Sequence, residues 1–149
     1  MAWVMKYHNL SSKPVEITSF GGITQDVVGI INHEPATHLD TGATDYLSID
    51  QSALTFIADG DIDVYQGVRT TDKTLWVRLH VPLQMFGIGK SPYWYYQTND
   101  GDDPGLDSGS WNKHDTDTVE TSIDKISVKL SPVKSHTDIT LEVKLDDLA

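Results

Sequence analysis

Histidine and carboxylate side chains are the residues of this sequence best suited to catalysis or metal binding. His33, Glu34 and His38 resemble the zinc motif HExxH, but the second histidine comes one residue too late. Pro35 also stands where the motif requires a continuous helix, so the two histidines would not share one helical face. The nucleophile elbow GxSxG, the phosphate-binding loop and the dinucleotide fingerprint GxGxxG do not occur in the sequence. These patterns predict a protein that is not an enzyme.

Acidic side chains form two further patterns. Asp61 and Asp63 alternate along a predicted strand, which is more typical of a solvated strand face than of an acid and base pair. The segment 99–103, NDGDD, with Asp107 offers the hard oxygen ligands that calcium prefers. However, the EF-hand pattern requires a glutamate where this chain has Trp111. We therefore expect no metal and no cofactor, and the sequence leaves calcium binding by residues 99–107 open.

The stretch from Leu75 to Gln97, LWVRLHVPLQMFGIGKSPYWYYQ, is the strongest candidate for binding. It opens with alternating apolar residues, which predicts a strand with one buried face, and Pro82 is expected to end its ladder. A loop with two glycines follows, and then a run of four aromatic residues. By alternation, Trp94 and Tyr96 share one face of this second strand, and Tyr93 and Tyr95 share the other. One pair should be buried, and the other should be exposed.

Exposed tyrosine and tryptophan beside an apolar loop are typical of a membrane-interface or sugar-binding surface. In the membrane case the aromatic rings would lie in the headgroup layer, and Arg78, His80 and Lys90 would contact phosphate or headgroup oxygens. The alternative is a large sandwich core beneath a long hairpin loop. The predicted binding residues are Trp76, Arg78, His80, Phe86, Lys90, Tyr93, Trp94, Tyr95, Tyr96 and Trp111.

Composition restricts the class of protein. With 149 residues the chain is most simply one domain, residues 1–149, and its net charge of −11 makes nucleic acid a poor partner. The absence of cysteine excludes disulfides and thiolate chemistry. The start, MAWVMKYHNL, has no secretory signal pattern, and no apolar run approaches about 18 residues. We expect a soluble protein made in the cytoplasm. It would reach a membrane by non-classical release and would associate with the membrane peripherally.

Strand patterns occur along the whole chain, and no segment has a sustained helical period. Residues 32–44 are polar and predict a loop, whereas Asp59-Gly60 predicts a hairpin turn. About nine or ten short strands predict an all-β fold, a single antiparallel β-sandwich. The predicted strands are 2–8, 14–20, 26–31, 46–49, 54–58, 62–68, 75–81, 93–97, and 118–130 with 139–145, the last two joined around Ser131-Pro132.

Two segments resemble the aegerolysin family. The start, AWVMKYHNLSSKPVEITSF, is similar to that family's opening, and LWVRLHVPLQMFGIGKSPYWYYQTND is similar in layout to its strand, proline, glycine-containing loop and aromatic strand. Leu106-Asp107-Ser108-Gly109 also resembles an Asp-Ser-Gly near the family's C-terminus. The layout is similar to actinoporin-like sandwiches and to small subunits of bacterial binary insecticidal toxins. His80-Val81-Pro82-Leu83 stands in place of the family's aromatic-Asp-Cys-Pro-Trp-Gly motif, so the family's lipid preference does not carry over.

The resemblance implies a small acidic β-sandwich that binds membrane lipid, a cytolysin or insecticidal-toxin-like protein of a class that often acts with a larger pore-forming partner. Two other functions remain open. In a lectin, the same aromatic rings would stack on sugars while Asp and Asn side chains bind hydroxyl groups. In a structural protein, the β-sandwich would self-assemble without a small ligand. The sequence leaves open whether the chain forms a homo-oligomer.

Overall fold

The computed structural model describes residues 2–18, 21, 31–50, 60–83, 91–135 and 138–148. These residues form strands and connecting loops without any helix, so the described part of the chain offers no helix that could span a membrane. The strands are β1 (Ala2–Asn9), β2 (Val15–Ile17), β3 (Ile31–His33), β4 (His38–Leu39), β5 (Thr44–Asp50), β6 (Gly60–Arg69), β7 (Thr74–Leu83), β8 (Tyr93–Asn99), β9 (Asn112–His114), β10 (Val119–Ile123), β11 (Ile126–Lys134) and β12 (Ile139–Asp147).

Two sheets of six strands pack against each other as a β-sandwich. Sheet A has the order β10-β11-β12-β1-β5-β3, and sheet B has the order β4-β2-β6-β7-β8-β9. The predicted all-β sandwich is confirmed, although the described residues form twelve strands and not nine or ten. The additional strands include β4 and β9, which are two and three residues long and polar in part. Segments this short are too brief for an alternating apolar pattern to reveal them.

The core lies between the inner faces of the two sheets. The predicted alternation of the central stretch is confirmed, because Leu75, Val77, Leu79 and Val81 are all buried there. Burial of each such side chain contributes about 1.5–3 kcal/mol. Other inward side chains include Trp3, Met5, Tyr7, Leu47, Ile62, Val64, Trp94, Val128, Leu141 and Val143.

One pairing departs from the expected antiparallel arrangement. β1 runs parallel to β12, with Trp3 opposite Ile139 and Asn9 opposite Leu145. Parallel neighbours require a long connection between them, and here almost the whole chain lies between the two strands. The sequence patterns of two strands so far apart carry no information about their relative direction, so the antiparallel prediction is wrong at this pair.

Two prolines lie inside strands, although the sequence predicts a strand end at one of them and a connection between strands at the other. Pro82 pairs with Asp61 in the β6–β7 ladder, and Pro132 pairs with Leu141 in the β11–β12 ladder. On its other side, each strand has its last described pair before the proline, at His80 in the β7–β8 ladder and at Leu130 in the β10–β11 ladder. No described strand pairs with either proline on that side, and a residue without an N–H is tolerated in such a position.

The predicted strand 118–130 contains a turn that the sequence analysis missed. Asp124 and Lys125 form a two-residue hairpin loop between β10 and β11, and Asp124 has a φ of 52°. Aspartate is among the residues that tolerate this left-handed conformation. The predicted loop at 32–44 is correct only in part, because the end of β3 and all of β4 lie within it. The predicted strands 26–30 and 54–58 and the turn residue Asp59 lie outside the described residues.

Candidate functional site

The two faces of β8 have different environments, but the predicted division into one buried and one exposed pair is correct only in part. Trp94 points into the core with 0% of its surface exposed, and its indole Nε1 donates to the Asp115 carbonyl at 3.1 Å. Tyr96 is half-buried and packs against the same core. Tyr93 and Tyr95 lie on the outer face of sheet B and are also half-buried. The outer face is therefore the side of β8 on which a ligand could meet aromatic rings.

Strand register brings charged residues beside these two tyrosines. Arg78 lies opposite Tyr95 across the β7–β8 ladder, and Lys113 lies opposite Tyr95 on its other side, in β9. One row further along, His80 lies between Asp63 of β6 and Tyr93 of β8. Directly opposed side chains on neighbouring strands are within contact distance. The outer face thus combines rings with basic groups from three adjacent strands.

Asp63 joins the two basic side chains of β7. Arg78 Nε donates to Asp63 Oδ1 at 2.8 Å, and His80 Nδ1 lies 2.9 Å from the same oxygen. Burial raises the pKa of Asp63, but the hydrogen bonds from His80 and Arg78 outweigh this effect and hold the pKa below its ordinary value. Only 6% of Asp63 is exposed. The interpretation of Asp63 as part of a solvated strand face is therefore wrong, because its partners on β7 enclose it.

The basic side chains lie against the faces of the rings. The guanidinium carbon of Arg78 is 4.4 Å from the Tyr95 ring centroid and 5.6 Å from that of Trp111. Lys113 Nζ is 4.1 Å from the Tyr93 ring centroid, and His80 stacks on Tyr93 with 4.3 Å between centroids. The Arg78 and Lys113 distances are within the range of cation–π attraction. Charge and aromatic surface are therefore held together in one arrangement.

The loop between β8 and β9 covers the remaining part of this face. Trp111 Nε1 donates to the Gly105 carbonyl at 2.9 Å, and Arg78 Nη1 donates to the Leu106 carbonyl at 3.3 Å. Beneath the loop, Trp76 Nε1 donates to Asn99 Oδ1 at 2.9 Å, and only 3% of Trp76 is exposed. Trp76 therefore supports the loop from below and contributes almost no accessible surface.

The acidic residues of the loop hold the loop in place. The Tyr65 hydroxyl donates to Asp103, and burial together with this hydrogen bond raises the pKa of Tyr65 to about 12. Asp103 also accepts the Gly105 amide, and Asp100 pairs with Lys73. Within the described ranges no group of three or more His, Asp or Glu side chains could hold a metal ion.

The histidines of the HExxH-like segment lie apart. His33 is in β3 of sheet A, where it is 3.1 Å from Asp45 and stacks on Tyr46. His38 is in β4 of sheet B. The two histidines thus belong to different sheets, and the chain that joins them is not helical.

The name aromatic–basic patch is used below for Asp63, Arg78, His80, Tyr93, Tyr95, Trp111 and Lys113 on the outer face of sheet B. Of the residues predicted from sequence, the structure places Arg78, His80, Tyr93, Tyr95 and Trp111 in the patch and Trp76 beneath its loop. Trp94 and Tyr96 lie on the opposite face of β8, towards the core. Phe86 and Lys90 lie outside the described residues.

Sequence reasoning missed Asp63 and Lys113 as members of the patch. The outward direction of Asp63 follows from its place between the buried Ile62 and Val64. Its pairing with Arg78 does not follow from any pattern, because it depends on the β6–β7 register. Lys113 belongs to β9, a three-residue strand with no alternating apolar pattern.

A separate cleft of about 410 Å³ lies at one end of the sandwich, between the β6–β7 and β10–β11 turns. It contains none of the residues predicted from sequence to bind a ligand. Asp124 accepts the Thr70 hydroxyl there and joins the turns of the two sheets. Its lining residues are Lys13, Thr70, Thr71, Asp72, Asp124, Lys125 and Ile126.

Comparison with known proteins adds no assignment: the sequence matches no protein-family model, and no curated protein matches it.

Proposed function

We propose that this protein is a non-enzymatic membrane-lipid-binding protein of the cytolysin or insecticidal-toxin type, which docks on a bilayer through the aromatic–basic patch. The observation that carries the proposal is the shared face of Tyr93, Tyr95, Trp111, Arg78 and Lys113. Tyrosine and tryptophan rings favour the headgroup layer of a bilayer, and basic groups beside them meet its oxygens.

The net charge of the protein restricts the kind of membrane to which it could bind. A net charge of −11 opposes electrostatic docking on anionic lipid. Binding would therefore depend on contacts with particular headgroups and not on general attraction. The resemblance to aegerolysins is consistent with this function, and it extends the proposal to a larger pore-forming partner.

A sugar-binding function is the second candidate, and a specific feature favours it. The Tyr95 and Trp111 rings lie 6.4 Å apart between centroids, and each is half-buried. A pair of partly exposed aromatic rings is suited to stacking on a sugar. A glycan array run beside the lipid assay separates the two candidates, because a lectin would bind glycans without requiring a phospholipid bilayer.

The lipid proposal is tested by sedimentation with vesicles of several lipid compositions. The double variant Tyr93→Ala, Tyr95→Ala should lose vesicle binding. Tyr46→Ala is the matched control, because Tyr46 is an exposed tyrosine that stacks on His33 at 4.1 Å on the outer face of sheet A. The control should bind as the wild type does. Retained binding in the double variant, or equal loss in the control, would contradict a role for the aromatic–basic patch.

A further inference from the structure

The ring faces of the aromatic–basic patch already carry cations that belong to the protein. Arg78 lies over Tyr95, and Lys113 lies 4.1 Å from the centroid of Tyr93. His80 of β7 stacks on Tyr93 from the side opposite to β9. An ammonium group of a ligand binds to an open ring face, so it would first have to displace these side chains. The arrangement is better suited to an anion than to a cation.

Arg78 keeps hydrogen-bond donors for such an anion. Its Nε donates to Asp63 and its Nη1 donates to the Leu106 carbonyl, which fixes the plane of the guanidinium. Within the described part of the chain, Nη2 donates no hydrogen bond. The side chain is 12% exposed, so part of it meets solvent. A fixed guanidinium plane with available N–H groups favours phosphate and carboxylate oxygens.

Lys113 supplies a second cation across the strands. Arg78, Tyr95 and Lys113 are directly opposed on β7, β8 and β9, so the two basic residues are two strand spacings, or about 10 Å, apart at the backbone. Arg78 lies over the Tyr95 ring and Lys113 over the Tyr93 ring, and the centroids of these two rings are 5.6 Å apart. Among the described residues Lys113 Nζ forms no ion pair with a carboxylate. A tetrahedral anion beside the two rings could therefore be approached by both cations.

We infer that the aromatic–basic patch recognises the phosphate group of its ligand, between Arg78 Nη2 and Lys113 Nζ, and does not recognise the amine of a lipid headgroup. The lipid source of that phosphate rests on the proposed function, whereas the phosphate chemistry applies equally to a free phosphate ester. Zwitterionic phospholipids are consistent both with the basic groups of the aromatic–basic patch and with the negative net charge of the protein. They carry the phosphate without the net negative charge that the acidic protein would repel.

The first experiment uses soluble probes at constant ionic strength, followed by tryptophan fluorescence and by amide chemical shifts. Inorganic phosphate and phosphorylethanolamine should bind saturably, and tetramethylammonium should not. Lys113→Gln, a change at an exposed residue, should weaken phosphate binding by about three- to tenfold, and Arg78→Lys by about tenfold or more. Lys129→Gln, an exposed lysine on β11 of sheet A, is the control and should have no effect. Saturable binding of tetramethylammonium but not of phosphate would overturn the inference, as would an unchanged affinity in Lys113→Gln.

The second experiment separates this inference from the proposed function. Vesicles of phosphatidylcholine, of phosphatidylethanolamine and of the phosphate-free lipid digalactosyldiacylglycerol are sedimented with the wild-type protein. We expect binding to both phospholipids and none to the galactolipid. Equal binding to all three would overturn the phosphate inference and leave the membrane proposal standing. Binding of soluble phosphate esters without binding to any vesicle would support the phosphate inference and refute the membrane proposal.

Discussion

Replacement of Asp63 by asparagine tests the charged centre of the aromatic–basic patch. The carboxylate receives Arg78 Nε at 2.8 Å and lies 2.9 Å from His80 Nδ1, and the side chains of Asp63, Arg78 and His80 are 8%, 12% and 12% exposed. Asparagine has nearly the same shape, and its one carbonyl oxygen could take the place of Oδ1. It removes the negative charge that pairs with the Arg78 guanidinium, so a buried cation loses its ion-pair partner.

The expected cost follows from these contacts. Loss of a buried ion-pair partner costs about 3–5 kcal/mol, and the remaining exposure of Arg78 and His80 places this site near the lower end. We expect Asp63→Asn to reduce the free energy of unfolding by about 3 kcal/mol. For a chain of this length, that corresponds to a decrease in melting temperature of about 6–12 °C. Urea unfolding at pH 7, with the slope checked for constancy, measures the change.

Asp45→Asn is the matched control. Asp45 also pairs with a histidine, with His33 Nε2 at 3.1 Å, but His33 is 43% exposed and Asp45 is 25% exposed. A solvated pair of this kind contributes about 0–1 kcal/mol. If Asp63→Asn costs less than about 1 kcal/mol, or no more than Asp45→Asn, the reasoning that Asp63 is an enclosed ion-pair partner is refuted.

Other expected outcomes address the core, the packing of sheet B, acid stability and calcium. Trp94→Ala should cost about 3–5 kcal/mol in urea unfolding, because the indole is fully buried; a cost below about 1 kcal/mol would contradict its place in the core. Gly67→Ala should cost about 1–3 kcal/mol, because a Cβ there would lie 2.8 Å from a Thr74 methyl and 2.9 Å from the Trp76 ring, whereas Gly109→Ala has open space and should be neutral. Several carboxyl groups have native pKa values below their ordinary values, so their stabilising effect is present above pH about 4 and is lost as the pH falls through those native values. The urea midpoint should therefore decrease from pH 5 to pH 3, and an unchanged midpoint would contradict this prediction. The groups concerned are Asp45, Asp63, Asp117, Asp124 and Asp147. Calcium and EDTA should change the melting temperature little, because two of the four carboxylates in 99–107, Asp100 and Asp103, already have partners in Lys73 and Tyr65; a large stabilisation by calcium would show a metal site there.

The sequence determined the alternation of side chains along most of the long strands, and for β7 it also determined which face is buried. Alternation of apolar and polar residues is a local property, since neighbouring side chains of a strand point to opposite faces whatever the strand pairs with. This is why Leu75 and Val77 were correctly placed in the core and why Trp94 and Tyr95 were correctly separated. The same alternation separated Trp76, Arg78 and His80 from the apolar residues of β7.

The sequence did not determine the register and order of the strands. The contacts of Asp63 with Arg78 and His80 depend on the pairing of β6 with β7, and the position of Lys113 depends on β9, which is too short to show a pattern. The sequence predicts that a strand ends at Pro82, which lacks an N–H, and that two strands are joined around Ser131-Pro132. In the described part of the chain no neighbouring strand extends beside either proline on one side, so a residue without an N–H is tolerated there. The parallel direction of β1 and β12 was equally absent from local patterns.

Only the tertiary structure decided the surroundings of the outer face of sheet B. The 99–111 loop covers Trp76 and leaves Tyr93 and Tyr95 half-exposed, and Arg78 and Lys113 lie over the tyrosine rings. Strand pairing joins residues far apart in the chain, and the favoured register is the one that buries the apolar faces of both sheets together. This register also determines which residues are neighbours on the outer face. The composition of the aromatic–basic patch is therefore a consequence of packing on the other side of the same sheet.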